Sequence, residues 1–171
     1  MIETITALLS KVFDKLPVAD WLGGKRRARQ DHDRSKFREL EERILPEAVI
    51  EAFLDEAANE GMSRARAVQV DGYLEWIRRT GNGFLIRKLQ NARRDFDKAL
   101  RDLREYLMVH VFAVSGQDEF LEFRPDQRHH RPGSDERNYY DARVAELDGK
   151  VAACSTAYRA FRQLVKFVLF V

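Results

Sequence analysis

Residues 84–114 form a run of about thirty residues without proline or glycine, and this run limits the folds open to the chain. Its apolar residues recur at alternating spacings of four and three, which is the period of an amphipathic α-helix. A helix of that length is roughly 45 Å long. Because its apolar stripe needs cover along its whole length, the chain must supply a partner helix of similar length. The predicted stripe is Leu85, Leu89, Ala92, Phe96, Ala99, Leu103, Tyr106 and His110.

The partner is predicted over residues 138–168, where an apolar seam repeats at four and three without interruption. The two stretches therefore predict a long antiparallel helix pair, and the chain as a whole an all-α helical bundle. Its length of 171 residues suits one domain, residues 1–171. The seam residues are Tyr140, Val144, Leu147, Val151, Cys154, Tyr158, Phe161, Val165 and Val168.

Shorter amphipathic helices are predicted before the central one, over residues 2–16, 31–45, 47–60 and 64–77. Gly23 and Gly24 predict a flexible break before the second of these helices, and Pro46 is expected to stop it. Gly61 is expected as a C-cap of the third helix and Ser63 as the N-cap of the fourth. These helices are expected to pack against the long pair.

The composition limits the functions that are open to the chain. Thirty basic residues against 28 acidic ones leave a net charge of +2, so the chain has no large net field that would indicate nucleic acid or an anionic membrane. Cys154 is the only cysteine, which excludes an internal disulfide and a multi-cysteine zinc site and favours a reducing, cytoplasmic location. The sequence predicts no membrane span, signal peptide, cofactor or metal.

Residues 115–137 are the least regular part of the chain, and they predict the binding site. A merely connective loop could be far shorter, and this one holds apolar anchors at Phe120 and Phe123 and planar donors at Arg124, Arg128 and Arg131. The sequence therefore predicts a binding or regulatory module that contacts another protein or a second copy of itself. In an alternative interpretation, Phe120 and Phe123 fold back to cap the open end of the helix pair.

A basic cluster suggests a nucleic-acid-binding protein as the alternative function. Lys25, Arg26, Arg27 and Arg29 stand together without an acid. Residues 64–94 are also strongly basic, and they would extend the cluster into one positive face if the second, fourth and central helices are neighbours. The bases there are Arg64, Arg66, Arg78, Arg79, Arg87, Lys88, Arg93 and Arg94, of which Arg78 and Arg79 are the candidate nucleic-acid contacts. Otherwise this face lies against the acidic helix 47–60 or is simply solvated.

Arg104 and His110 form a further candidate, for catalysis. A histidine can transfer protons near neutral pH, and an arginine can stabilise charge on a scissile phosphate. Their spacing resembles the signature of HEPN-type ribonucleases, which are all-helical bundles, and this resemblance implies a ribonuclease with these two catalytic residues. The residue after the arginine, usually polar in that family, is here Glu105. Because His110 lies on the apolar stripe, it is alternatively a hydrogen-bonded core histidine.

Three other candidates have simple structural interpretations. His32 and Asp33 fit a polar first turn of the second helix. His129 and His130 are adjacent, so in an extended segment their side chains point in opposite directions and do not share a metal. Cys154 occupies a seam position, where a small apolar residue fits.

Overall fold

The computed structural model describes residues 18–79, 81–114, 117–124 and 129–170. The predicted helix 2–16 lies outside the described residues. The described part of the chain is mostly helical, as the sequence predicts, and it also contains a small three-stranded sheet. Its helices are α1 (Val18–Glu39), α2 (Glu47–Ala58), α3 (Arg64–Trp76), α4 (Arg87–His110) and α5 (Asp135–Leu169), and its strands are β1 (Gly61–Ser63), β2 (Val111–Val114) and β3 (Gln117–Phe123).

Helix α1 runs straight through Gly23 and Gly24, so the predicted break between them is wrong. A glycine inside a helix costs about 1 kcal/mol relative to alanine. Further along α1, Asp33 and Arg34 bond to the backbone of Leu85 and Leu169. The helix continues as a π-helical segment, Leu40–Ile44, and stops before Pro46. The proline therefore ends this element as expected.

Helices α4 and α5 pack closely through aromatic side chains. In the first half of α4, the ring of Phe96 lies 5.2 Å from that of Tyr158 and 6.3 Å from that of Phe161. Near the end of α4, the Tyr106 hydroxyl donates to the Arg143 carbonyl at 2.9 Å. Early α4 thus contacts late α5, and late α4 contacts early α5.

The bounds of both long helices differ from the predicted ones. Helix α4 covers Arg87–His110 instead of 84–114, because Leu85 and Ile86 donate their amides to Asp33 and Val111–Val114 form strand β2. Valine, a β-branched residue, favours strands. Helix α5 covers Asp135–Leu169 instead of 138–168, since Ser134 caps its start.

The sheet was not predicted from the sequence. Its order is β1–β3–β2, all antiparallel, with Met62 opposite Leu121 and Val111 opposite Phe123. Gly61 is not the C-cap of α2, which ends at Ala58; it begins β1 beneath the ring of Phe120. A Cβ on Gly61 would lie 2.4 Å from that ring, so the close approach of Phe120 requires glycine here.

Helix α3 begins as predicted, with the Ser63 side chain accepting the amide hydrogen of Arg66. Its inner face joins one hydrophobic core with α2, α4, α5 and the sheet. At the centre of that core, Phe161 contacts the rings of Phe37, Phe84 and Phe96. The core leaves the first residues of α4 and the last turn of α5 at the surface, where they meet α1.

Candidate anion-binding groove

A groove of about 650 Å³ lies between α1, the start of α4 and the end of α5. Its walls carry basic side chains from two helices, and among the described residues that line it none is acidic. Cations therefore stand on both sides of the groove. They are Lys25, Arg26 and Arg29 from α1 and Arg87 and Lys88 from α4.

Three side chains of α1 hold these walls together by bonding to backbone of the other two elements. Asp33 is fully buried, and its carboxylate accepts the amide hydrogens of Leu85 at 2.7 Å and Ile86 at 2.9 Å. Arg34 donates to the carbonyl of Leu169 at 2.9 Å, and Gln30 donates to that of Val168 at 3.4 Å. Asp33 is thus a structural tie inside the protein instead of a polar residue in a first helical turn.

Four of the groove's cations are exposed and have no counter-charge among the described residues. Arg26, Arg29, Arg87 and Lys88 make no ion pair with any residue that the structure describes. On the remainder of the described surface many arginines are paired; Arg66, for example, donates to Glu56 at 2.6 Å. The groove therefore concentrates positive charge that the described residues do not neutralise.

The third wall is apolar and partly exposed. Phe167 and Phe170, at the end of α5, are 77% and 79% exposed, and Leu85, before α4, is 54% exposed. Phe170 has φ 56° and ψ 47°, the left-handed conformation that bulky residues rarely adopt. Apolar side chains gathered on one groove differ from the single exposed residues found on any protein surface, and such patches mark interaction sites.

This arrangement suits binding. The cations attract an anionic group, and the phenyl rings offer faces to an apolar or aromatic part of the same ligand. Histidine, cysteine and carboxylate side chains, which most often act as general acids, bases and nucleophiles, do not occur among the described lining residues. The groove therefore carries the kinds of side chain that an amphiphilic anion requires.

The predicted nucleic-acid contacts divide between this groove and other places. Lys25, Arg26 and Arg29 line it, whereas Arg27 is exposed on α1 outside the lining. Arg78 and Arg79 do not line the groove. Both follow α3, which does not contribute to the groove, and Arg79 pairs with Glu75 at 3.2 Å.

Arg104 and His110 bond to different partners. Arg104 is buried and makes a bidentate salt bridge to Asp71, with N–O distances of 2.9 and 2.7 Å. His110 is 9% exposed, and its Nδ1 accepts hydrogen bonds from Arg124 at 3.0 and 2.7 Å. Burial, and next the guanidinium of Arg124, lower the pKa of His110 below its ordinary value of 6.5. In the folded chain His110 is largely enclosed, and its Nδ1 is occupied by Arg124.

The described part of the predicted binding segment 115–137 contributes largely to the fold. Phe123 is 1% exposed and packs against Tyr106 and Tyr140, so its ring faces the interior in this structure. Phe120 covers Gly61, as described above. Arg124 bonds to His110 and lies over the ring of Tyr139. Arg131 is exposed, and Arg128 lies outside the described residues.

Neither Cys154 nor the histidines form a second site. Cys154 is fully buried, and burial raises the pKa of its thiol to about 12, which disfavours the reactive thiolate. His129 and His130 are exposed. In the described ranges no three histidine, cysteine or acidic side chains come together as metal ligands. None of the helices in those ranges combines the length and apolarity that crossing a membrane requires.

Sequence reasoning missed the apolar wall of the groove. The heptad seam predicts Val168 as the last core residue, whereas Leu169 is fully buried and Phe167 and Phe170 are exposed. A signal was present, because residues 167–170 are four consecutive apolar residues, more than one helix face can bury.

No protein-family model, curated protein or solved structure matches the chain.

Proposed function

We propose that this chain is a helical binding module, framed by an antiparallel pairing of α4 and α5, that binds an anionic partner in the groove. The observation that carries the proposal is that four exposed cations on the two walls make no ion pair with a described residue: Arg26, Arg29, Arg87 and Lys88. Like charges held together repel one another, and this repulsion is relieved when an anion binds. The adjacent phenyl rings favour a partner that also has an apolar or aromatic face.

The antiparallel pairing explains how residues distant in sequence come to line one groove. Because early α4 packs on late α5, Arg87 and Phe167 lie at the same end of the pair. Asp33 and Arg34 then dock α1 across that end. We propose that the pair is a rigid frame and that the groove at its end is the functional surface.

The ribonuclease alternative is not part of this proposal. The Arg104 guanidinium is engaged by Asp71, and the Nδ1 of His110 is engaged by Arg124. A phosphate would have to displace a bidentate, charge-assisted pair to reach Arg104. The cytoplasmic location expected from the single cysteine remains a prediction and is part of the proposal.

The proposal is tested with 8-anilinonaphthalene-1-sulfonate, an aromatic sulfonate whose fluorescence rises when it leaves water. We expect it to bind in the groove with an affinity that falls as salt is added. The double variant Arg26→Gln/Arg87→Gln should bind it roughly fivefold more weakly, which corresponds to about 1 kcal/mol for two exposed charge contacts.

The matched control is Arg64→Gln/Arg78→Gln. It removes two exposed arginines outside the groove and changes net charge by the same amount. Equal weakening in both variants would indicate a general charge effect, and no weakening in either would place the dye elsewhere. Either result contradicts the proposal.

A further inference from the structure

The exposed rings at the end of α5 narrow the class of partner. Phe167 and Phe170 are three positions apart on the last turn, both more than three-quarters exposed, and both line the groove. Simple hydrophobic contact would be served by any apolar side chains, such as the nearby Leu85. Two phenyl rings additionally offer flat faces, which stack on other flat groups.

The arginines of the groove can likewise make two kinds of contact. A guanidinium donates two parallel hydrogen bonds to a phosphate and also stacks on aromatic planes. Arg26 and Arg29 lie three positions apart on one face of α1, and Arg87 faces them from the start of α4. The arginines on the two walls could therefore bind successive negative groups of one extended ligand.

The phenyl rings and the arginines together indicate which class of polyanion fits the groove. An acidic peptide supplies carboxylates but has no regular series of flat groups. A duplex keeps its bases stacked inside, away from a phenyl ring. An anionic membrane presents a plane, whereas this site is a concave groove of about 650 Å³. A single strand supplies both regularly spaced phosphates and unstacked bases.

We infer that the groove binds single-stranded nucleic acid, with phosphates on the arginines of α1 and α4 and a base stacked on Phe167. The inference rests on the proposed function, because it names the partner of the same groove. Gln30, the one neutral polar side chain of the described lining, already donates to Val168. Binding is therefore sequence-tolerant and relies on charge and stacking.

The test is fluorescence anisotropy of the full chain with a labelled twelve-residue oligothymidylate at several salt concentrations. The logarithm of the affinity should fall with the logarithm of salt by about 0.7 for each phosphate contacted. Arg26→Gln/Arg87→Gln should reduce that slope by about 1.4, since two contacts are lost. Arg64→Gln/Arg78→Gln should leave it unchanged.

Phe167→Ser isolates stacking from charge. It should weaken oligothymidylate binding by about 5- to 150-fold, the range for losing one base–aromatic stack, and leave the salt slope unchanged. Phe167 is exposed, so its loss should not affect folding, which the melting temperature checks. Phe170→Ser on the same wall serves as the second variant if Phe167→Ser lowers that temperature.

Three comparison ligands decide whether the partner class is right: a duplex of the same length, a polyglutamate peptide of matched charge, and vesicles of equal parts phosphatidylglycerol and phosphatidylcholine. The single strand should bind at least tenfold more tightly than each of them. Equal or tighter binding of any of them, or unchanged binding by both serine variants, overturns the inference. If the naphthalenesulfonate still binds in the groove in that case, the proposed function stands; if it does not, both fail.

Discussion

The two ends of the α4–α5 pair use the same residue types in opposite ways. At the sheet end, Phe123 is 1% exposed and Arg124 bonds to His110. At the groove end, Phe167 is 77% exposed and Arg87 has no ion pair with any described residue. Phe123 and Arg124 thus complete the fold at one end, whereas Phe167 and Arg87 remain exposed at the other.

The difference teaches that residue type alone does not identify a binding surface. Segment 115–137 contains the arginines and phenylalanines typical of an interface, yet Phe123 and Arg124 contact other parts of the chain. At the sheet end even Tyr139, which is partly exposed, lies between Arg124 and Arg143. A binding surface is identified by side chains for which the fold supplies no partner.

The largest expected effect is on stability at the sheet end. Phe123→Ala should lower the free energy of unfolding by about 3 to 5 kcal/mol, because it removes a buried ring packed against Tyr106 and Tyr140. Urea denaturation measures the change. Phe167→Ala is the matched control at the groove end and should change stability by less than about 0.5 kcal/mol.

A loss of unfolding free energy below about 1 kcal/mol for Phe123→Ala would mean that this ring is not buried against Tyr106 and Tyr140. A large loss for Phe167→Ala would mean that the exposed ring contributes to the fold. Either result removes the contrast between the two ends.

A smaller effect is expected from the tie between α1 and α4. Asp33→Ala leaves the amides of Leu85 and Ile86 without their acceptor, which should cost about 1 to 3 kcal/mol. It should also weaken naphthalenesulfonate binding, because α1 is no longer fixed across the groove. Asp148→Ala, at an exposed position of α5 that makes no ion pair with a described residue, should change neither quantity. Unaltered binding by Asp33→Ala would show that the groove does not depend on this tie.

The smallest expected effect is a pH dependence at the sheet end. The pKa of His110 is lowered in the folded chain, so the unfolded chain takes up the proton at higher pH. Its contribution to stability is complete above pH 6.5 and is lost as pH falls below that value toward the folded pKa. His110→Asn keeps an acceptor for Arg124 but does not titrate.

The urea midpoint of the wild type should therefore decline more than that of His110→Asn between pH 6.5 and about pH 5.5. His130→Asn, at an exposed site, should behave like the wild type. Parallel declines in the wild type and His110→Asn would mean that His110 remains neutral, or titrates equally, in both states.

Local periodicity predicted the helical elements well because each helix carries its own repeat. Leu147 and Phe161, taken from the seam, are buried at 0% and 1% exposure. The sheet escaped prediction because Met62 pairs with Leu121, a contact between short segments distant in sequence. No local pattern reports such a pairing. The same holds for Gly61, whose role depends on the ring of Phe120.

The groove was predictable only in part, for a related reason. The cluster at Lys25, Arg26 and Arg29 is visible in the sequence, and these residues line the groove. Whether a cation is paired depends on tertiary neighbours, as the bond from Arg104 to Asp71 illustrates. The exposure of Phe167 likewise depends on which residues of the last turn face the core.

The most direct test of the contrast is the backbone amide NMR spectrum of the chain during titration with 8-anilinonaphthalene-1-sulfonate. If the groove end is the binding surface, the largest shifts should occur in residues 25–34, 84–90 and 164–170, with residues 117–124 unchanged. Shifts that are largest in β3 or around His110, or that are spread evenly over the chain, would contradict the assignment of binding to the groove.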